Sequence, residues 1–200
     1  QIGMQAVARS KPDGYSFVVV SASTTVVPPA VTKSLPYDVL KDFAPVSLIA
    51  NTRLLMVVGK DSPFQSVADL VAAAKAAPGR YAYGDSAALY TLSMERFKQQ
   101  AGIDLVGVKY KSPADAANDL VGGRLAVAPD SLGSVSASLQ AGRVRPIAVF
   151  SATRIPTLPA VPTMIELGFK DYEFNGWIAI MAPAGTPAPI DQDDLAAEVG

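Results

Sequence analysis

The sequence contains no cysteine and no histidine. Without cysteine there is no disulfide framework and no thiol nucleophile. The missing histidine weighs more. It excludes a Ser-His-Asp triad and His-ligated zinc, and it removes the side chain that most often moves protons near neutral pH. Carboxylate or Ser-Lys chemistry survives these exclusions, so an enzyme is disfavoured rather than ruled out. Charge is also scarce, at 18% of residues, and 17 basic against 18 acidic residues leave a formal net charge of -1. The Lys and Arg residues are scattered, whereas nucleic acid or an anionic membrane surface requires a basic cluster. No stretch approaches the roughly 18 apolar residues of a membrane span. No basic-then-apolar leader opens the sequence.

What is present is apolar and rich in turns. Half of the 200 residues are hydrophobic, with 15 Gly and 16 Pro. That suffices for a core in one large domain or two small lobes, and it is the reverse of the balance in disordered chains.

Residues 1–8 read as the middle of an amphipathic helix, with Ile2, Gln5 and Ala6 at helical spacing. Since a natural chain rarely begins inside a helix, the expectation is that the true start is missing. Beyond the turn Pro12-Asp13-Gly14, residues 16–20 form a short continuous apolar run suited to a buried strand. Pro28 and Pro29 open a helical or irregular stretch. Residues 46–50 and 54–58 are two further strand candidates. Ser66 and Asp69 form a capping box for a helix that stops at Pro78-Gly79.

Strand and helix signals then alternate. Residues 81–84 lead into a polar turn, and a helix near 91–100 is capped by Gly102. Strand 105–108 precedes Ser112-Pro113, a helix start with proline at the first position. Strand 125–128, helix 134–140, strand 147–150, a short helix 163–167 and a last strand 177–181 follow. Strands separated by helices over the whole length predict an α/β class with mostly parallel sheets flanked by helices.

Several strings, in this order and spacing, carry a resemblance. They are Pro12-Asp13-Gly14-Tyr15, Leu35-Pro36-Tyr37-Asp38, Lys41-Asp42-Phe43-Ala44-Pro45-Val46 and Val108-Lys109-Tyr110-Lys111. Asp119-Leu120-Val121-Gly122-Gly123, Ala141-Gly142-Arg143-Val144-Arg145-Pro146, Leu158-Pro159-Ala160-Val161-Pro162-Thr163 and Ala182-Pro183-Ala184-Gly185-Thr186-Pro187 complete the set. Together they resemble the tripartite tricarboxylate transporter receptors, the Bug or TctC-type periplasmic solute-binding proteins. The resemblance implies a two-lobed fold of the periplasmic-binding-protein type II kind with a ligand cleft between the lobes. It implies a first lobe from residues 1–50 and 172–200, incomplete here, and a second from 51–171. The crossovers fall near 50–53 and 170–175. It further implies a periplasmic monomer that captures a small carboxylate-bearing acid, uses no cofactor and delivers its ligand to membrane transporter subunits. The N-terminal strand and loop of the family, and helices after Ile190, have no counterpart.

Candidate ligand contacts lie just beyond predicted strands, where α/β sheets place ligands. Ser21, Ala22, Ser23 and Thr24 offer short hydroxyl side chains to a carboxylate, or form a solvated turn. Asp85, Ser86, Ala87 and Ala88 stand between a strand and a helix N-terminus, a place suited to an anion. The resemblance aligns Gly84 to Ala88 and Thr91 with a Gly/Ser-rich turn and a following histidine, with Asp85 and Ala87 replacing two usual glycines. Asp85 either caps the helix and repels an anion, or receives a ligand ammonium or hydroxyl. Tyr110 is a candidate donor, ahead of its neighbours Lys109 and Lys111. Asp130 either receives a ligand group or caps the next turn, and Trp177 reads as packing before ligand stacking. Asp191, Asp193, Asp194 and Glu198 read as a solvated tail rather than a metal site.

Two other readings stand beside the receptor. One is a truncated or altered family member that no longer binds tightly. The other is a carboxylate-dependent hydrolase on an α/β fold, against which the sequence offers no nucleophile elbow.

Overall fold

The computed structural model describes residues 2–32 and 34–187. Its elements run α1 (Ile2–Ala8), β1 (Val18–Ser21), α2 (Ala22–Thr25), α3 (Val27–Val31) and β2 (Phe43–Gly59). Then come α4 (Val67–Ala76), β3 (Ala82–Asp85), α5 (Ala88–Ala101), β4 (Val106–Lys109) and α6 (Pro113–Val121). The series closes with β5 (Ala128–Ser131), α7 (Leu132–Gln140), β6 (Val144–Val149) and β7 (Asn175–Pro183). The chain divides into two compact units, one of Gln1–Asn51 with Gly176–Gly200 and one of Thr52–Asn175.

In the second unit β3 and β4 are parallel, from Ala82 against Val106 to Asp85 against Lys109. A parallel bridge between Tyr83 and Val127 joins β3 to the approach of β5. The C-terminal part of β2 lies antiparallel to both β5 and β6, with Leu55 opposite Asp130 on one side and Val149 on the other. Four strands therefore point one way and β2 the other. The α/β class stands, but the expected parallel pairing needs correction: β2 runs against its neighbours β5 and β6, and in the first unit β1 pairs antiparallel with β7. Apolar periodicity identifies a strand without giving its direction, which is why the sequence did not show this.

The two expected strands at 46–50 and 54–58 are one continuous strand of 17 residues. Polar Asn51-Thr52-Arg53 interrupts the apolar signal, yet the backbone stays extended as it passes between the units. Within the second unit β2 is buried on both faces, as the middle strand of a covered sheet must be. Leu54, Met56 and Val58 join one core with Tyr83, Met94, Phe97, Phe150 and Tyr172. Leu55 and Val57 join the other with Leu120, Val135 and Val149. The period-two alternation of strand side chains makes this division automatic.

Helix ends follow local chemistry. Ser66 accepts the Asp69 N–H at 3.2 Å while the Asp69 carboxylate receives the Ser66 N–H at 2.9 Å. Ser112 caps α6 by accepting the Asp115 N–H at 3.2 Å, with Pro113 in the first turn. Gly102 ends α5 in the left-handed region at φ 62. Residues 164–167 form a turn rather than the expected helix; Thr163 and Glu166 exchange the two bonds of a helix start at 2.7 and 3.1 Å, but Gly168 at φ 94 closes the segment after one turn.

The first unit has a smaller core of Met4, Val20, Tyr37 and Phe43, against which Val7, Trp177 and Met181 pack. Helix α1 turns Met4 inward and leaves Ile2 at 86% exposure. Val7 and Ala8 share the packed side with Met4.

Candidate functional site

Asp85, Lys109 and Asp130 all lie at the C-terminal ends of parallel-running strands of the second unit. Asp85 is 3% exposed, so its charge needs partners. Thr91 in the first turns of α5 donates its hydroxyl to Asp85 Oδ1 at 2.7 Å, and Lys109 Nζ donates to Oδ2 at 2.6 Å. The Lys109 ammonium also lies 3.3 Å from Thr91 Oγ1. One step on, the Tyr110 N–H donates to the Asp85 carbonyl at 2.8 Å and extends the parallel ladder.

Asp85 is therefore not the helix cap that its position suggested. The N-cap of α5 is Ala87, which has no side-chain acceptor. The carboxylate instead ties β3 to β4 and α5. Ser86 follows it, half-buried, as the first residue of the turn. Ala87 and Ala88 carry the backbone into α5, whose Tyr90 and Thr91 N–H groups donate to the Ala87 carbonyl at 2.9 and 3.0 Å.

Asp130 lies within β5 rather than after it, 4% exposed. Burial pushes its carboxyl above the usual aspartate range, against the pull of the Ser134 hydroxyl, the Ser131 N–H and the Tyr90 hydroxyl. Tyr90 donates to Asp130 Oδ1 at 3.4 Å and accepts the Ser131 N–H at 3.1 Å. Burial, and then the Asp130 charge, push the Tyr90 phenol up to about 12. Ser131, not Asp130, caps α7, accepting the Ser134 N–H at 3.2 Å. The start of α5, the end of β5 and the start of α7 are stitched together by these contacts.

The Tyr110 hydroxyl is engaged elsewhere. It donates to Asp119 Oδ2 at 2.7 Å, and the same carboxylate pairs with Arg124. Arg124, then the Tyr110 hydroxyl, hold the Asp119 carboxyl below its usual range.

In the first unit, Ser21 closes β1 and Ala22, Ser23 and Thr24 belong to α2, where a loop was expected. Thr24 Oγ1 accepts the Ser21 N–H and donates to the Ser21 carbonyl, both at 2.9 Å. Thr25 donates to the same carbonyl at 2.8 Å. Local side-chain bonds of this kind compete with an open loop and close a helical turn. Trp177 packs on the small core and also borders an apolar pocket of about 930 Å³ with Leu35, Tyr37, Leu40 and Met181.

The structure thus joins Asp85, Ser86, Ala87, Ala88 and Asp130 through the first turn of α5. It joins Tyr110 to them by backbone alone, and Ser21, Ala22, Ser23 and Thr24 belong to the other unit. Sequence reasoning passed over Tyr90 and ranked Lys109 below Tyr110. The parallel register that sets residue 85 against 109 was the missing signal. Asp191, Asp193, Asp194 and Glu198 lie outside the described residues.

Residues 1–196 match the profile described as the tripartite tricarboxylate transporter family receptor. The chain belongs to this family. A UPF0065 protein of Bordetella bronchiseptica is 39% identical over 191 residues, covering 94% of this chain and 56% of that relative. A solved structure of an R. palustris protein with adipate has a TM-score of 0.89 at 37% identity, covering 94% of this chain and 64% of that one. MatC from Rhodopseudomonas palustris with bound malate has a TM-score of 0.88 at 25% identity, covering 99% and 68%. The chain thus spans a little over half the length of the Bordetella relative.

Proposed function

We propose that this chain works as a periplasmic solute-binding receptor for a small carboxylate-bearing organic acid. The units Gln1–Asn51 with Gly176–Gly200 and Thr52–Asn175 supply its two lobes. Its ligand passes to membrane subunits of a tripartite tricarboxylate transporter, and no bond is made or broken on the way. The observation that carries this reading is the close structural match to the adipate-bound protein, with a TM-score of 0.89.

The second unit offers suitable chemistry for one end of such an acid. The turn after β3 presents the Ser86 hydroxyl beside the start of α5, a 14-residue helix. A helix start carries partial positive charge from aligned peptide dipoles, which favours a carboxylate. Buried Asp130 and Tyr90, one strand away, are placed to take a hydroxyl or the second polar end of the ligand. Backbone and hydroxyl donors replace the water around the acid, and the surrounding apolar strands keep the exchange specific.

Calorimetric titration with adipate, malate and a panel of aromatic acids tests the reading. Heat at micromolar concentration from any of them supports it, and Ser86→Ala should then weaken binding by about tenfold or more by removing one hydrogen bond to a charged group. Silence across the whole panel defeats it and leaves the reading of a family member that no longer binds tightly.

A further inference from the structure

The second unit holds a cavity at the end of its sheet away from Asp85 and Asp130. Gly59, the last residue of β2, lines it, whereas Asp130 lies opposite Leu55 further back on the same strand. From Leu55 to Gly59 is roughly 13 Å at about 3.3 Å per residue. The N-terminal side of β3 and the C-terminal end of α6 complete the walls. The volume is about 600 Å³, inside the span of about 300–1,000 Å³ usual for small-molecule sites.

One wall is apolar and aromatic. Phe64 and Tyr81 meet edge-on, with ring centroids 5.3 Å apart and an interplanar angle of 85°, and Leu125 lies on the same lining. The loop that bears Phe64 is set in advance. Its N–H donates to the Ser62 hydroxyl at 3.3 Å, and its carbonyl accepts the Arg145 guanidinium at 2.8 Å. The Ser62 N–H in turn donates to the Gly59 carbonyl at 3.0 Å.

The rim carries both signs of charge. The Arg80 guanidinium stands 5.9 Å from the centre of the Tyr81 ring, a cation–π contact that holds it near that wall. Asp61 is on the same lining. Among the described residues neither the Arg80 guanidinium nor the Asp61 carboxylate has an ion pair or a hydrogen bond, and the two are not paired with each other. Arg124, the other cation of the lining, is by contrast committed to Asp119. Helix α6 ends at the cavity with Val121 and Gly122, and its last turn has no basic side chain. The carbonyls at a helix C-terminus favour a cation. Opposite charges held apart beside an aromatic wall suit a ligand that bears both charges and an apolar body.

We propose that this cavity is a second ligand site, taking a free amino acid with an aromatic side chain in its zwitterionic form. The carboxylate meets Arg80, the ammonium meets Asp61 and the end of α6, and the side chain lies on Phe64 and Tyr81. The site is separate from the turn of Ser86, and the inference does not rest on acid binding there.

The test uses phenylalanine and two analogues, hydrocinnamate without the ammonium and phenethylamine without the carboxylate. The amide signals of Gly122 and Gly123 in nitrogen–proton correlation spectra of the intact chain report binding. Phenylalanine should shift both signals to saturation and bind about tenfold or more tightly than either analogue, one charged hydrogen-bond partner being lost in each. Asp61→Asn should abolish the preference over hydrocinnamate and Arg80→Gln the preference over phenethylamine, while Ser86→Ala leaves the titration unchanged. A purely solvated pair of side chains would move neither preference. Unmoved signals at Gly122 and Gly123 overturn the inference, and so does hydrocinnamate binding as tightly as phenylalanine. Shifts confined to Ser86 and Tyr90 overturn it too, since they place the amino acid at the other end of the sheet.

Discussion

Replacing Gly59 by alanine tests how closely the end of β2 meets the end of α6. A Cβ on Gly59 would stand 2.7 Å from the Leu120 carbonyl oxygen and 3.6 Å from its carbon. The obstacle is backbone, and it cannot rotate aside like a side chain. That carbonyl also accepts the Gly123 N–H at 3.1 Å in the turn closing α6, so pushing it away disturbs the turn as well. Gly59 is itself pinned, because it pairs with Val144 and its carbonyl accepts the Ser62 N–H at 3.0 Å. Overpacking of this kind costs about 1–3 kcal/mol. For a chain of this size 1 kcal/mol moves Tm by about 2–4 °C, so a cost of about 2 kcal/mol gives a fall of roughly 4–8 °C.

Gly133→Ala is the matched control. Gly133 lies within α7 without a positive φ, and a methyl group added there would meet nothing within 4 Å. Alanine there should stabilise by about 0.4–1 kcal/mol through a smaller loss of backbone freedom. Scanning calorimetry or urea unfolding of both variants gives the answer. If Gly59→Ala shifts the midpoint in the same direction as Gly133→Ala, the close approach of β2 to α6 is refuted.

Three more outcomes are expected. Asp130 has its carboxyl raised in the folded state, so the fold holds its proton longer than the unfolded chain does. Its contribution to stability is greatest below the ordinary aspartate range, and it is lost as pH rises through the raised value. Urea midpoints measured across that window should fall less steeply with pH in Asp130→Asn than in the parent, and parallel curves would contradict this. Tyr172→Phe removes a buried 2.6 Å bond to the Ser93 carbonyl and should cost about 1–2 kcal/mol in urea unfolding, a neutral result being the contrary one. Tyr110→Phe should leave acid affinity within about twofold, because the hydroxyl's one proton is already given to Asp119 and none is left for a ligand carboxylate. A tenfold loss in titration would show that the hydroxyl turns to the ligand instead.

The parts of the fold that were legible in the sequence are those written in short-range chemistry. Ser66 with Asp69, Ser112 with Pro113, and Gly102 each announce a helix end, because the capping partners lie within a few residues. Leu54 to Val58 announced a buried strand by apolar content alone. The continuity of β2 was hidden by Asn51-Thr52-Arg53, and its reversed direction is a property of pairing that no single segment carries. Helix α2 was hidden too, since Ser and Thr favour turns unless their hydroxyls close one helical turn, as Thr24 and Thr25 do here.

The candidate site followed the same rule. The turn of Asp85 to Ala88 was found because strand-then-helix signals flank it. The pairing of Asp85 was not found, since its partner Lys109 lies 24 residues away and is brought near only by the parallel register. The hydroxyl partner of Tyr110 was hidden as well. Its hydroxyl is directed to Asp119, nine residues on, across the start of α6. Asp130 was read as a turn residue because the strand it belongs to was placed a few residues too early.

The pairing of β1 with β7 has a consequence in time. Val18 meets Met181 and Ser21 meets Ile178, residues from opposite ends of the described chain. The second unit, by contrast, is one contiguous stretch from Thr52 to Asn175. As the chain emerges in order, that stretch has every strand it needs before β7 exists. Strand β1 stands without this partner until the whole of that stretch has been made. Joining distant segments is slow because loop closure precedes any gain from contact. The return of β7 to β1 therefore comes only after the second unit has its own strands in hand.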